Sequence, residues 1–220
     1  WYATLSGHDS IPDIIIGRCS TRLTDNIKRK IALFCNIDKS AVISGIDVDT
    51  VYRIPLIFNE EGLTEILHKS LNIYSPPALA EWARLVDRLV APTGPVARVA
   101  ICGKYTDLHD SYASVIEAIR HSGAHLDCQV KIEWLDTAAL ERSDADPADT
   151  LGDTDAVIVP GGFGSRGIEG KIRVIHYCRE KGVPFLGLCY GMQLAVVEYA
   201  RNVLGLQGAH TTEAAEEDIE

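Results

Sequence analysis

The sequence predicts an α/β fold of mostly parallel sheets with helices on both faces. Three observations carry that expectation. From residue 97 onward, short buried-type apolar runs alternate with amphipathic helical stretches, the signature of strands joined by crossover helices. A stretch with two prolines around a glycine, "APTGP" at 91–95, breaks the chain into two parts. The composition, 46% hydrophobic and 24% charged over 220 residues, is that of an ordinary globular chain with room for one large domain or two small ones. The expected organisation is an N-terminal part over residues 1–90, a linker at 91–96 and a C-terminal part over 97–220.

Each element has its own local reason. "PDIIIGRCS" opens with a buried-type strand at Ile14–Ile16. "DNIKRKIALFCN" reads as a helix, with Asp25 placed to cap it and Ile27, Ile31 and Phe34 on one face. A short strand around Val42 is followed by a polar loop, and "GLTEILHKSLNI" is a second helix. An amphipathic helix lies between the prolines of "YSPPALAEWARLVDRLVAPTGP". Beyond it "ARVAIC" is a strand and "DSYASVIEAIRHSG" a helix. Asp110 is positioned to cap this helix, Tyr112, Val115, Ile116 and Ile119 line one face, and Gly123 is positioned to end it. "VKIEWL" alternates apolar and charged residues as a half-exposed strand does. "LERSDADPADTLG" reads as a polar loop, "DAVIVP" as a buried strand and "EGKIRVIHYCREKG" as a helix. "PFLGL" is then a strand and "GMQLAVVEYARNVLG" a helix. The tail "EAAEEDIE" is acidic enough to be solvated.

Bulk properties remove several function classes. A net charge of −10 disfavours nucleic acid, because a binder needs a basic field to displace counterions. No apolar run approaches the roughly 20 residues of a membrane span. The first ten residues have neither the basic nor the apolar region of a signal peptide. Six cysteines without a CxxC pair are read as reduced thiols of a cytoplasmic protein, and no ligand spacing for a metal is present.

Two stretches carry chemistry. In "GLCYG" the strand ends, Cys189 sits at the turn and Gly191 opens the helix, the cysteine counterpart of a G-x-S-x-G elbow. A helix N-terminus favours thiolate, and the Tyr190 N–H is aimed at a developing oxyanion. A buried structural cysteine beside packing glycines is the competing reading. The second stretch, "VPGGFGSRG", follows a buried strand. Its glycines, Gly161, Gly162, Gly164 and Gly167, expose backbone N–H groups to an anion. A phosphate loop or a plain turn competes there, although the Lys-Ser/Thr ending of a Walker loop is absent.

"VPGGFGSRGIEGKI" and "PFLGLCYGMQLAVVEYARNV" resemble the class I, or triad-type, glutamine amidotransferase domain in the form found in the CTP synthase family. "ICGKYTDLHDSYASVIEAI" resembles the first strand and helix of that domain. "PDIIIGRCSTRLTDNIKRKIALFCNIDKSAVISGIDVDTVYRIP" resembles the end of the family's synthetase domain. The resemblance covers most of residues 11–213. It implies a flavodoxin-like class I glutaminase domain preceded by part of a Rossmann-like or P-loop-type synthetase domain.

The implied reaction is a ligase reaction of pyrimidine nucleotide synthesis. Glutamine is hydrolysed at the cysteine, and the ammonia aminates ATP-activated UTP at C4 to give CTP. Cys189 falls on the nucleophile. Gly162, Tyr190, Gly191, Met192, Gln193 and Glu213 fall on the glutamine-binding positions, and Gly161, Gly162 and Tyr190 on the oxyanion hole. Glu213 would face the amino group of glutamine, although the family's aromatic, proline-rich continuation is replaced here by "AAEEDIE". Arg18, Ile46, Asp47 and Val48 fall on the ATP site and Lys30 on the UTP site. Plain readings remain for several of them: a polar helix residue for Gln193, a solvated tail for Glu213, a solvated helix face for Lys30 and a structural pair for Arg18. Gly103, Lys104 and Tyr105 look like a loop signature without a catalytic role. The resemblance also implies ATP and Mg as cofactors, with no Mg ligands in this chain, and a homotetramer for the intact enzyme.

The family's pattern is incomplete in this sequence. None of the seven histidines is followed by Pro-Glu, as the family's general base is, and no G-x-x-x-x-G-K-[ST] occurs. The chain is therefore expected to be an internal fragment, inactive by itself. The alternative from another class is a catalytically silent module for regulation or assembly. An unrelated elbow-cysteine hydrolase would leave residues 31–55 unexplained.

Overall fold

The computed structural model describes residues 12–106, 108–143, 145–162 and 164–214. The expectations for "WYATLSGHDS" and for most of the acidic tail lie outside them. The chain divides into two compact units, Trp1–Ala91 and Pro92–Glu220.

The first unit is built on two parallel strands, β1 (Ile15–Cys19) and β2 (Val42–Ile46), in register from Ile15 opposite Val42 to Cys19 opposite Ile46. Val42 and Ile43 are completely buried, as expected of a short strand covered on both faces. The cap of helix α1 (Asp25–Cys35) lies one residue earlier than expected. Thr24 has the extended backbone of a cap, and its hydroxyl accepts the Ile27 N–H, which leaves Asp25 inside the first turn. The face with Ile27 and Phe34 is not the packing face: these side chains are 43% and 78% exposed, whereas Ala32 is buried. A salt bridge orients the helix instead, with Lys28 Nζ 2.6 Å from the buried Glu61 carboxylate. The polar loop after β2 contains more structure than expected. A 3-10 turn at Val51–Arg53 leads into α2 (Ile54–Glu60), where Pro55 occupies the first turn at no hydrogen-bond cost. Helices α3 (Leu63–Leu71) and α4 (Leu79–Val90) follow, and α4 is pinned by Trp82, whose ring N–H donates to the Tyr52 carbonyl at 2.8 Å.

The second unit is a four-stranded parallel sheet. Its strands are β3 (Val96–Gly103), β4 (Gln129–Asp136), β5 (Ala156–Val159) and β6 (Phe185–Gly187), in the order β4-β3-β5-β6. Strand periodicity assigns the two faces. Val99 and Ile101 pack with Ile119 of α5 (Ala113–Leu126), whereas Ala100, Cys102, Val157 and Val159 pack with α8 (Ile168–Lys181) and α9 (Tyr190–Asn202). Helices thus cover both faces. Among the described residues no helix is long and apolar enough to cross a membrane.

Three local expectations need correction. The Asp110 carboxylate does not cap α5; a 3-10 turn precedes the helix, and the Asp110 carbonyl accepts the Ala113 N–H. Gly123 does not end α5, which runs on to Leu126 before Asp127 turns left-handed. Gly123 is there for space, since a Cβ would come within 2.5 Å of the Val130 side chain. The polar loop before β5 holds two short helices, α6 (Thr137–Glu141) and α7 (Ala148–Leu151). The Asp136 carboxylate caps α6 by accepting the Ala138 N–H at 2.8 Å, and α6 buries Thr137, Ala138 and Leu140.

Candidate active site

Because all four strands of the second unit are parallel, their C-terminal ends share one edge. Between β3 and β5 the chain changes direction across the sheet, and such switch points open a crevice at that edge. The segments after β3, β5 and β6 meet there.

After β6 the chain turns through Leu188 and Cys189 into α9. Cys189 stands at the N-cap with φ 51° and ψ −106°. Such a conformation costs a non-glycine residue about 1–3 kcal/mol. Backbone hydrogen bonds on both sides hold it. Leu188 N–H donates to the Val159 carbonyl at 2.9 Å, and the Met192 and Gln193 N–H groups donate to the Cys189 carbonyl at 3.1 and 3.2 Å. The glycines on either side are steric necessities. A Cβ on Gly191 would lie 2.0 Å from the Val159 carbonyl oxygen, and one on Gly187 2.7 Å from the Gly191 backbone. The Cys189 side chain is exposed, and among the described residues its sulfur makes no hydrogen bond.

The glycine loop lies against this turn. The Cβ position of Gly161 is 3.5 Å from Cys189 Cβ, and Gly162 has φ 146°, which only glycine adopts easily. Behind the loop, the Lys171 ammonium donates to the Pro160 carbonyl at 3.1 Å and stands 5.5 Å from the centre of the Tyr190 ring. Lys171 is 2% exposed, and no carboxylate of the described residues lies within 4.0 Å of it. Burial, with the neighbouring charge of Lys104, lowers its pKa to about 8. The hydroxyls of Thr137 and Tyr190 are buried without partners among the described residues. Burial, and then the charge of Glu213, pushes the Tyr190 phenol up.

The third component comes from the end of the described chain. Gln193 Nε2 donates to Glu213 Oε1 at 2.8 Å, and the Thr211 hydroxyl donates to Gln193 Oε1 at 2.6 Å. The Cys189 turn thus meets the glycine loop at Gly161, and Gln193 of the first turn of α9 pairs with Glu213. Met192, 58% exposed, begins the outer side of α9. Lys171, Lys104 and Thr211 were not among the expected site residues. Lys171 had a readable signal: it falls with Ile168, Ile172 and Ile175 on the inward stripe of α8, where a charge has no ordinary place.

In the first unit Arg18, Ile46, Asp47 and Val48 line one cavity of about 550 Å³, together with Ile16, Val51 and Phe58. Arg18 Nε is 3.1 Å from Asp47 Oδ1 at its rim. Lys30 is exposed on α1 and is not part of the cavity lining. Among the described residues no group of three His, Cys, Asp or Glu side chains could hold a metal ion.

A family model for class-I glutamine amidotransferases matches residues 107–218. The chain belongs to the class-I glutamine amidotransferase family. A model of the CTP synthase N-terminus matches residues 3–73. This amidotransferase chain is 49% identical over 205 residues to the CTP synthase of Archaeoglobus fulgidus, covering 93% of the chain and 38% of that relative. The CTP synthase of Methanopyrus kandleri is 46% identical over 203 residues, covering 92% of the chain and 38% of the relative. A solved structure, the Trypanosoma brucei CTPS glutaminase domain with bound acivicin, matches with a TM-score of 0.51 and 37% identity, over 55% of this chain and 47% of that one. The amidotransferase chain therefore spans under two fifths of the length of the curated relatives it matches.

Proposed function

We propose that this chain supplies the nucleophile side of a glutaminase site and the base-binding wall of a nucleotide site in a glutamine-dependent CTP synthase. The observation that carries the reading is the strained Cys189 elbow facing the glycine loop, with Gly161 in van der Waals reach of the cysteine. The Cys189 sulfur attacks the carboxamide carbon of glutamine. A C–S bond forms and the carbonyl electron pair moves to oxygen, where the N–H groups of the glycine loop and of Tyr190 receive it. Collapse breaks the C–N bond and releases ammonia, which leaves with a proton. Water then cleaves the thioester to glutamate and the free thiol. Glu213 is the ammonium partner for the substrate's α-amino group. ATP phosphorylates O4 of UTP and leaves as ADP, and the released ammonia adds at C4 and expels that oxygen as phosphate to give CTP. Arg18, Ile46, Asp47 and Val48 would hold the base of ATP, and Lys30 is assigned to UTP phosphate. On this reading the intact protein is a cytoplasmic homotetramer.

A silent regulatory or assembly module is the second reading. The observation that favours it is the Cys189 sulfur without a hydrogen-bonded base among the described residues. Acivicin separates the two. Displacement of its chloride by the Cys189 sulfur forms a C–S bond, and peptide mapping by mass spectrometry locates the adduct. Labelling of Cys189 that glutamine suppresses supports the glutaminase site. Labelling absent while iodoacetamide still alkylates Cys189 rejects it in favour of the silent module.

A further inference from the structure

Gln193 and Glu213 are tied together by a residue outside the expected site. The Thr211 hydroxyl gives its single proton to Gln193 Oε1 at 2.6 Å, and its lone pair accepts the Glu213 backbone N–H at 3.2 Å. The far end of the Gln193 amide then has only one orientation available. A carboxylate only accepts hydrogen bonds, so Gln193 must present its NH₂ to Glu213, and it does so at 2.8 Å. The three residues form a closed ring: hydroxyl to amide oxygen, amide nitrogen to carboxylate, and the carboxylate residue's own N–H back to the hydroxyl. Glu213 Oε2 is left without a partner among the described residues.

We infer that Thr211 is a positioning residue for recognition of the substrate's α-amino group: it fixes the Gln193 amide and the Glu213 backbone, and so aims the carboxylate that binds the ammonium. Without the hydroxyl, Gln193 is free to rotate its amide and Glu213 is held by one bond fewer. A valine at 211 keeps the shape of threonine and removes both bonds. The loss of a directed hydrogen bond predicts a weakening of about three- to tenfold in the affinity for an amine-bearing substrate. A substrate without the amine makes no use of the carboxylate and should be unaffected.

The inference rests on the glutaminase reading, and the test separates the two. The rate of Cys189 alkylation by iodoacetamide is measured in the whole 220-residue chain with increasing L-glutamine, and again with glutaramate, which lacks the α-amino group. In the unmodified chain both ligands slow alkylation, glutamine at lower concentration. In Thr211→Val the glutamine concentration for half-protection rises about three- to tenfold while that of glutaramate stays within about twofold, and Thr211→Ser restores the original values. Equal protection of Thr211→Val and the unmodified chain by glutamine overturns the inference and leaves the glutaminase reading standing. Equal loss for both ligands in Thr211→Val, with alkylation and circular dichroism otherwise unchanged, also overturns it, because the hydroxyl would then be shaping the pocket in general. No protection of the unmodified chain by either ligand overturns the glutaminase reading and the inference with it.

Discussion

Replacing Lys171 by methionine should change the pH dependence of stability in a calculable way. The Lys171 ammonium is buried behind the glycine loop, and burial lowers its pKa from 10.5 to about 8. At roughly 1.4 kcal/mol per tenfold change in proton affinity, the folded state at neutral pH carries about 3 kcal/mol of penalty for holding this proton. A methionine removes the penalty. It also leaves the Pro160 carbonyl without its 3.1 Å hydrogen bond, at a cost of about 1–3 kcal/mol. The net expectation at pH 7 is a gain of about 1 kcal/mol for Lys171→Met. Between about pH 8 and 10.5 the sign of the coupling matters. The folded state has released the proton while the unfolded state still holds it, so the unfolded state binds more protons and stability of the unmodified chain rises with pH. By about pH 9.5 it has recovered about 2 kcal/mol, which the variant cannot. The difference in unfolding free energy between the two proteins should therefore shift by about 2 kcal/mol from neutral to alkaline pH, measured by urea titration with far-ultraviolet ellipticity. A difference that is the same at both pH values would refute the idea that a buried, charged Lys171 sits behind the loop.

Two further outcomes follow from the packing. Gly191→Ala places a methyl group in the space of the Val159 carbonyl oxygen, 2.0 Å away, and is expected to destabilise the second unit by about 2–3 kcal/mol and to slow acivicin labelling of Cys189 at least about tenfold; unchanged labelling would show that the elbow does not need the close approach. Val48→Trp fills the cavity of the first unit and should weaken binding of a fluorescent ATP analogue by about tenfold or more, read by anisotropy; equal binding would move the nucleotide elsewhere.

What the sequence made legible depended on how each element is stabilised. Strand β5 was readable because burial demands apolar residues along it, as in "DAVIVP", and β4 because a half-exposed strand alternates, as in "VKIEWL". Helix α5 was readable from the spacing of Tyr112, Val115, Ile116 and Ile119, which all join one core cluster. The face of α1 was misread because apolar spacing does not say which face is buried: Ala32 and the Lys28–Glu61 pair, separated by 33 residues in sequence, decide it. Helices α6 and α7 have five and four residues, too few to show a 3.6-residue period, and α6 is held by its Asp136 cap and by packing on α8. Single residues at element ends, such as Thr24 against Asp25, turn on backbone geometry that two adjacent capping residue types leave open.

The site was legible where chemistry and backbone shape share the same residues. Glycine on both sides of a cysteine announces a turn that no other residue tolerates, and the structure identifies the atom responsible. The Val159 carbonyl accepts the Leu188 N–H at 2.9 Å and also occupies the space that a Cβ on Gly191 would need. Val159 is in turn the last residue of β5, from which Pro160 and Gly161 lead into the glycine loop. One strand end therefore sets the position of the cysteine and launches the loop that faces it. The spacing between the two is fixed by two covalent links and one hydrogen bond rather than by the packing of independent loops, so substitutions on α5 or α6 should leave it intact while any change that moves the end of β5 displaces both together. Thr211 was illegible for the opposite reason. It acts by holding Gln193 and Glu213 through single hydrogen bonds, the first across 18 positions of sequence, and no local pattern records such a bond.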